Sequence, residues 1–341
     1  MDAYNLLKPW LFRLDPERTH TLALRALRML PPALFPVPEN RPDDAVEIMG
    51  LRFPNPIGLA AGLDKNGECI DALPALGFGF IEVGTVTPRP QPGNPPPRLF
   101  RLPEASAIVN RMGFNNKGVD YLVERVKNST WRGILGINVG KNFDTPLDKA
   151  AEDYLTCLRK VYPHASYVTV NISSPNTKDL RRLQAGDEFA ALLGALGKER
   201  ARLRERYGKH VPLVIKIAPD MEDVQIETMA GLLIEHGMDG VIATNTTLSR
   251  DGVEGLAHAD EAGGLSGAPL TARATAVTAK LVSALRSEIP VIASGGVMTA
   301  ADAAAKKTAG ARLVQLYTGL VYRGPRLIDE ARAAWRDTPA G

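Results

Sequence analysis

The chain has 341 residues, 45% of them apolar and 23% charged, with a net charge of +3. This is the composition of an ordinary globular protein, long enough for one large domain or two smaller ones. A nearly balanced charge with no aromatic-and-basic stripe excludes a dedicated nucleic-acid binder. Cys69 and Cys157 are far apart and match neither a disulfide framework nor a metal spacing. No apolar run is long enough to span a bilayer. Met1 to Trp10 contains Asp2 and Lys8 and lacks a signal-peptide core, so a cytoplasmic location is expected.

The first segment, residues 1–38, stands apart. Leu6, Leu7, Trp10, Leu11 and Leu14 recur at helical spacing, and after Asp15-Pro16 a second helix carries Leu22, Leu24, Leu27 and Leu30. Lys8, Arg13, Arg18, Arg25 and Arg28 outnumber the acids, and Pro31-Pro32 ends the helix. A basic, amphipathic helical pair of this kind is either a cap on the main domain or a surface for anionic lipid or an apolar ligand. Ala45 to Phe53 alternates as a hairpin would and is expected to cover one end of the core.

From there, residues 39–341 read as one domain. Short apolar runs fall at Pro56–Ala60, Phe80–Val83, Ile134–Val139, Tyr167–Asn171, Leu213–Ile217, Gly240–Thr244, Val291–Ala293 and Leu313–Leu316. They are rich in β-branched residues, as strands covered on both faces should be. Helical segments are expected at Glu68–Leu76, Gly118–Lys127, Pro146–Val161, Glu188–Tyr207, Asp223–His236, Leu270–Arg286 and Ala300–Ala309. The alternation predicts an α/β fold, a parallel (β/α)8 TIM barrel. An open doubly wound sheet is the alternative, but the G-x-G-x-x-G turn it would carry is absent. Long connections follow the second, fourth and sixth strands, over Thr85–Glu104, Ser174–Asp187 and Ser249–Pro269. Long loops on one face mark a functional mouth.

The strand ends are where chemistry collects. In chain order they give Ala61-Gly62-Leu63-Asp64-Lys65, Gly84-Thr85, Asn138, Asn171 with Ser174 and Asn176, Lys216, Thr244-Asn245-Thr246, Ser294-Gly295-Gly296 and Tyr317-Thr318-Gly319. Each alone passes as a turn or a helix cap. Together at one barrel mouth they suit a large polar ligand with a flat apolar part. The glycine-rich seventh and eighth ends can offer backbone N–H groups to a phosphate. Lys216, inside the apolar run Val214 to Ala218, is either half of an internal ion pair or a cation for an anionic cofactor.

Five motifs, Ala61 to Lys65, Asn110 to Asn116, Asn171 to Thr177, Gly263 to Gly267 and Val314 to Gly319, together resemble dihydroorotate dehydrogenases, and the quinone-linked, membrane-associated class most closely. The resemblance covers essentially the whole chain, with the motifs in order. It implies FMN, held by Ala61, Gly62, Lys65, Thr85, Asn138, Asn171, Lys216, Thr244, Gly267, Gly296, Tyr317 and Thr318. It implies dihydroorotate, held by Lys65, Asn110, Arg111, Met112, Gly113, Phe114, Asn171, Asn176, Asn245 and Thr246. Asparagine suits such a ring because it offers a donor and an acceptor to one edge, and Lys65 suits its carboxylate.

By the same resemblance Ser174 is the catalytic base, Lys65 and Lys216 complete the catalytic set, and no metal takes part. The base would take the C5 proton while hydride leaves C6 for flavin N5, with Lys216 near the N1–C2 carbonyl edge. Serine is a weak base, so its own proton must be passed on, through a water toward Thr177. His20 and Arg101 correspond to a quinone route, and Leu6, Trp10 and Leu11 to membrane contacts. The implied location is then peripheral, on the cytoplasmic face of the inner membrane. Ser294, and Ala268 after Gly267, depart from the family pattern without removing a named contact. Three rivals are a soluble fumarate- or NAD-linked relative, which would carry cysteine at position 174, a barrel using Lys216 as a Schiff-base nucleophile, and a non-enzymatic membrane module.

Overall fold

The computed structural model describes residues 3–29, 41–177, 179–184 and 186–339. The boundary expected at residue 38 lies outside them. Two helices come first, α1 (Ala3–Leu11) and α2 (Pro16–Met29). The Asp15 carboxylate accepts from Arg18 N at 2.8 Å, and Pro16 takes the first-turn position where its missing N–H costs nothing. No residue of α2 is fully buried, but Leu24 and Leu27 rest on the main core.

The hairpin forms as its alternation predicts. Strands β1 (Val46–Ile48) and β2 (Leu51–Phe53) pair antiparallel around Met49 and Gly50, both with positive φ. Ile48 and Phe53 pack with Phe80, Tyr167 and Leu313, so the hairpin closes the end of the barrel opposite the strand C-termini.

Eight parallel strands close the barrel: β3 (Ile57–Leu59), β4 (Phe80–Val86), β7 (Ile134–Val139), β8 (Tyr167–Asn171), β9 (Leu213–Ile217), β10 (Gly240–Ala243), β12 (Val291–Ser294) and β13 (Leu313–Leu316). Their side chains are buried almost throughout, which explains why they read as unbroken apolar runs. Outside them lie α3 (Val119–Asn128), α4 (Ala150–Val161), α5 (Gly186–Tyr207), α6 (Asp223–Glu235), α7 (Thr271–Leu285), α8 (Ala300–Thr308), the short α9 (Thr318–Arg323) and α10 (Arg326–Asp337).

Two features depart from expectation. The helix over Glu68–Leu76 is absent; only one 3-10 turn, Leu73–Leu76, forms there. The Asp64 carboxylate captures the N–H groups of Glu68 (2.9 Å) and Cys69 (2.7 Å), Gly67 has a left-handed φ, and Pro74 removes a donor, so no α-helical ladder starts. The long connections, in turn, carry strands of their own. β5 (Leu99–Leu102), β6 (Ala107–Asn110) and β11 (Gly264–Gly267) form a separate antiparallel sheet, with β6 in the middle. The N-terminal helices dock against it. Phe12 packs with Leu99, Ile108 and Tyr322, Arg98 pairs with Glu17 at 2.7 Å, and Lys8 Nζ donates to Tyr322 O at 2.8 Å.

Candidate active site

The strand C-termini and the extra sheet enclose one cavity. Its wall takes Ala61, Gly62 and Lys65 from the turn after β3, and Thr85 from β4. Asn171, Ser174 and Asn176 come from the end of β8, Lys216 from β9, and Thr244, Asn245 and Thr246 from the end of β10. Gly296, Tyr317 and Thr318 follow β12 and β13. The sheet and the loop after it add Gly267, Asn110, Met112, Gly113 and Phe114, and α2 adds His20.

Three expected residues lie off this wall. Asn138 sits beneath it, donating from Nδ2 to Glu82 (2.8 Å) while its Oδ1 accepts from Thr85 Oγ1 (2.6 Å). Arg111 turns outward to Glu261, at 2.6 Å. Arg101 donates to Leu11 O (3.2 Å) and Leu14 O (2.6 Å), clamping the turn between α1 and α2. Leu99, Ile108 and Leu270 line the cavity although their sequence context does not mark them as site residues. The alternation Leu99-Phe100-Arg101-Leu102 is the available signal, but it lies within a proline-rich loop.

Two lysines give the cavity its charge. Lys216 is 5% exposed, and its ammonium has no hydrogen bond or ion pair among the described residues. Burial lowers its pKa, and the Glu82 carboxylate opposes that shift. Lys65 is half-buried, its remaining surface facing the cavity, and burial pushes its pKa down to about 8, Arg98 adding to the effect and Glu17 opposing it. His20 is held neutral, its pKa lowered to about 3 by burial and then by Lys65. Beside these cations lies a run of unspent donors. The N–H groups of Gly296 and Val297 have no acceptor among the described residues. Glycine is required at 296: φ is +72°, and a Cβ there would stand 2.3 Å from Thr271 Cα.

Comparison with known proteins decides the family. A profile described as dihydroorotate dehydrogenase matches residues 44–333. The chain is 61% identical to the dihydroorotate dehydrogenase (quinone) of Methylococcus capsulatus, with 96% of each chain covered. It is 62% identical to the dihydroorotate dehydrogenase (quinone) of Nitrosomonas eutropha, again over 96% of both. The chain belongs to the dihydroorotate dehydrogenase family. A crystal structure of the Eimeria tenella DHODH in complex with ferulenol superposes with a TM-score of 0.88 at 38% identity, covering 94% of this chain and 90% of that one. Members of this family are in general flavin-dependent, and the present chain is an oxidoreductase of that family.

Within that family the cavity makes chemical sense. Cations at Lys65 and Lys216, amides at Asn110, Asn171, Asn176 and Asn245, and free N–H groups at Gly296 and Val297 make the lining rich in hydrogen-bond donors, which suits an anionic ligand. Among the described residues the same wall offers no acidic side chain that would repel such ligands.

Proposed function

We propose that this enzyme oxidises dihydroorotate to orotate, with FMN as the hydride acceptor and a membrane quinone as the final electron acceptor, in the route to pyrimidines. The observation that carries the reading is the pairing, in one cavity, of two cations that form no ion pair within 4.0 Å among the described residues with the unspent N–H groups at Gly296 and Val297. These fit FMN: the cradle suits its phosphate, and Lys216 suits the electron-rich edge of its ring. Ala61, Gly62, Thr85, Asn171, Thr244, Gly267, Tyr317 and Thr318 complete the flavin's surroundings, with Asn138 acting from behind Thr85. When bound, FMN supplies the hydride acceptor and returns the electrons to quinone.

The chain's own groups do the rest. Lys65 neutralises the substrate carboxylate. Asn110, Asn171, Asn176, Asn245 and Thr246 match the ring's alternating N–H and C=O groups. Met112, Gly113 and Phe114 cover it and exclude water. Ser174, 6% exposed, takes the C5 proton.

The N-terminal helices serve the membrane side, and residues 1–38 form the quinone-access unit. Among the described residues no helix is long and apolar enough to cross a membrane. Yet Leu6 (58%), Leu7 (58%), Trp10 (66%) and Leu22 (50%) expose apolar surface beside Arg13, Arg18, Arg25 and Arg28. An apolar face rimmed by arginines supports peripheral binding to anionic lipid, at the cytoplasmic face of the inner membrane. Leu11, half-buried, contributes less. Neutral His20 lines the inner route for quinone, and Arg101 holds the turn that frames it.

The test is spectroscopic. The purified protein is expected to be yellow, to bleach with dihydroorotate under anaerobic conditions, and to recover colour with a quinone. A colourless protein that takes up no FMN, or a flavin that dihydroorotate leaves oxidised, overturns the reading. Leu6→Glu with Trp10→Glu is expected to leave bleaching unchanged and to abolish sedimentation with anionic vesicles. Undiminished sedimentation would remove the helices from the membrane role.

A further inference from the structure

Beneath the cavity lies a carboxylate that the wall does not contain. Glu82 on β4 is 0% exposed. It takes four neutral donors: Asn138 Nδ2 at 2.8 Å on Oε1, and Gln315 Nε2 (2.9 Å), Tyr167 OH (3.0 Å) and Thr169 Oγ1 (3.0 Å) on Oε2. Among the described residues it has no ion pair within 4.0 Å. Such a group is costly to bury unless every lone pair is used.

A carboxylate only accepts, so it fixes the sense of each bond leading away from it. Asn138 must turn its NH2 toward Glu82. Its Oδ1 therefore faces Thr85, whose hydroxyl donates to it at 2.6 Å. With its hydrogen committed, Thr85 Oγ1 accepts from Asn171 Nδ2 at 3.1 Å. The other end of that amide, Asn171 Oδ1, then accepts from Ser173 Oγ (3.2 Å) and Asn245 Nδ2 (3.4 Å). The relay runs from a buried anion to Asn171 and Asn245 in the cavity wall, Asn245 Nδ2 also donating to Ser173 Oγ at 3.0 Å. Two backbone donors act in the same sense, Ser173 N on Asn171 Oδ1 (3.3 Å) and Thr246 N on Asn245 Oδ1 (2.8 Å).

We infer that Glu82 is a positioning residue that, together with the Ser173 and Thr246 N–H groups, sets which ends of the Asn171 and Asn245 amides meet the ligand ring. An amide turned over would offer a donor where the ring also offers one, so the relay gives the site its preference for a ring with a fixed order of N–H and C=O groups. The inference rests on the orotate-binding reading above and extends it to a residue that touches no ligand.

Glu82→Gln tests this, because glutamine keeps the shape but can both donate and accept, so the relay can run in either sense. In the full-length flavoprotein, orotate binding is read from its perturbation of the flavin absorption band. Glu82→Gln is expected to retain flavin and to lose about tenfold or more in orotate affinity, the scale of a misdirected buried hydrogen bond. Thr85→Val, which cuts the relay further along, is expected to weaken orotate binding as well. Adding Glu82→Gln to Thr85→Val should then cost nothing more, although the two side chains are not hydrogen-bonded to each other. Multiplying losses would mean general loosening of the barrel and would overturn the proposal, as would an affinity within twofold of the parent in Glu82→Gln. Should Glu82→Gln fail to fold, Asn138→Leu severs the same relay with Glu82 in place, and parental affinity in that variant is equally fatal. A parent protein whose flavin band ignores orotate would instead refute the underlying site assignment.

Discussion

Replacing Ser174 by alanine is expected to slow reduction of the bound flavin by dihydroorotate about 10²–10⁴-fold, the range typical of losing a positioned proton acceptor. Flavin content and orotate affinity should stay near those of the parent. The side chain stands in the cavity wall between Asn171 and Asn176, almost wholly buried. Its Oγ accepts from Asn176 N at 3.3 Å, and its own hydrogen goes to no acceptor among the described residues. That arrangement suits a serine base: the hydroxyl oxygen is oriented by Asn176 N, while its proton is committed to no acceptor among the described residues. Alanine deletes the oxygen and sacrifices only one long hydrogen bond, so the fold has little reason to change. Rapid-mixing absorbance under anaerobic conditions separates the reductive half-reaction from quinone turnover. A rate within about threefold of the parent would assign the proton to another group.

The parallel barrel is legible in the sequence because its strands are covered on both faces. Each appears as a short β-branched run, and each ends where polar residues crowd the mouth. That periodicity is local, so the order of residues along the chain suffices to bring Ala61, Asn171, Lys216, Gly296 and Thr318 to one mouth. What the chain order hides is non-local. β5 and β6 come from the loop after one strand and β11 from the loop after another, and only their pairing makes a sheet that contributes Leu99, Ile108 and Gly267. Glu82 reads as one polar residue in Phe80-Ile81-Glu82-Val83. Its role emerges only when Asn138, Tyr167, Thr169 and Gln315, from three other strands, converge on it. Asn138 and Thr85 both stand at strand ends, yet Thr85 reaches the cavity and Asn138 supports it from below; spacing along a strand does not record that depth. The missing helix at Glu68–Leu76 shows the same limit. Its composition suits a helix, but the Asp64 side chain takes the N–H groups first.

Lys216→Met is expected to move two properties in opposite directions. Methionine matches the length of the lysine stem and removes the charge. In the apoprotein that charge is buried on β9 without a hydrogen bond, and burying an unpaired ammonium costs free energy. Folding lowers the pKa of Lys216, so below its ordinary value of 10.5 the unfolded chain holds the proton more firmly than the folded one. Apoprotein stability must therefore rise with pH toward that value, and the variant should lose part of the rise. At neutral pH the variant apoprotein should melt at a temperature equal to or above the parent's. Flavin binding should suffer instead. Losing one charge-assisted contact of about 1.5–3 kcal/mol corresponds to roughly 10–100-fold in affinity. The midpoint potential of whatever flavin remains bound should fall, because a cation in a dry site favours the ligand form that carries more negative charge. Loss of the longer-range attraction between Lys216 and Glu82, which are not paired within 4.0 Å, tempers the gain in apoprotein stability and makes its size informative. Melting curves with and without FMN, together with a potentiometric titration, decide the matter. An apoprotein that melts lower while flavin affinity and potential stay parental would make Lys216 a structural residue and leave the cavity without its central cation.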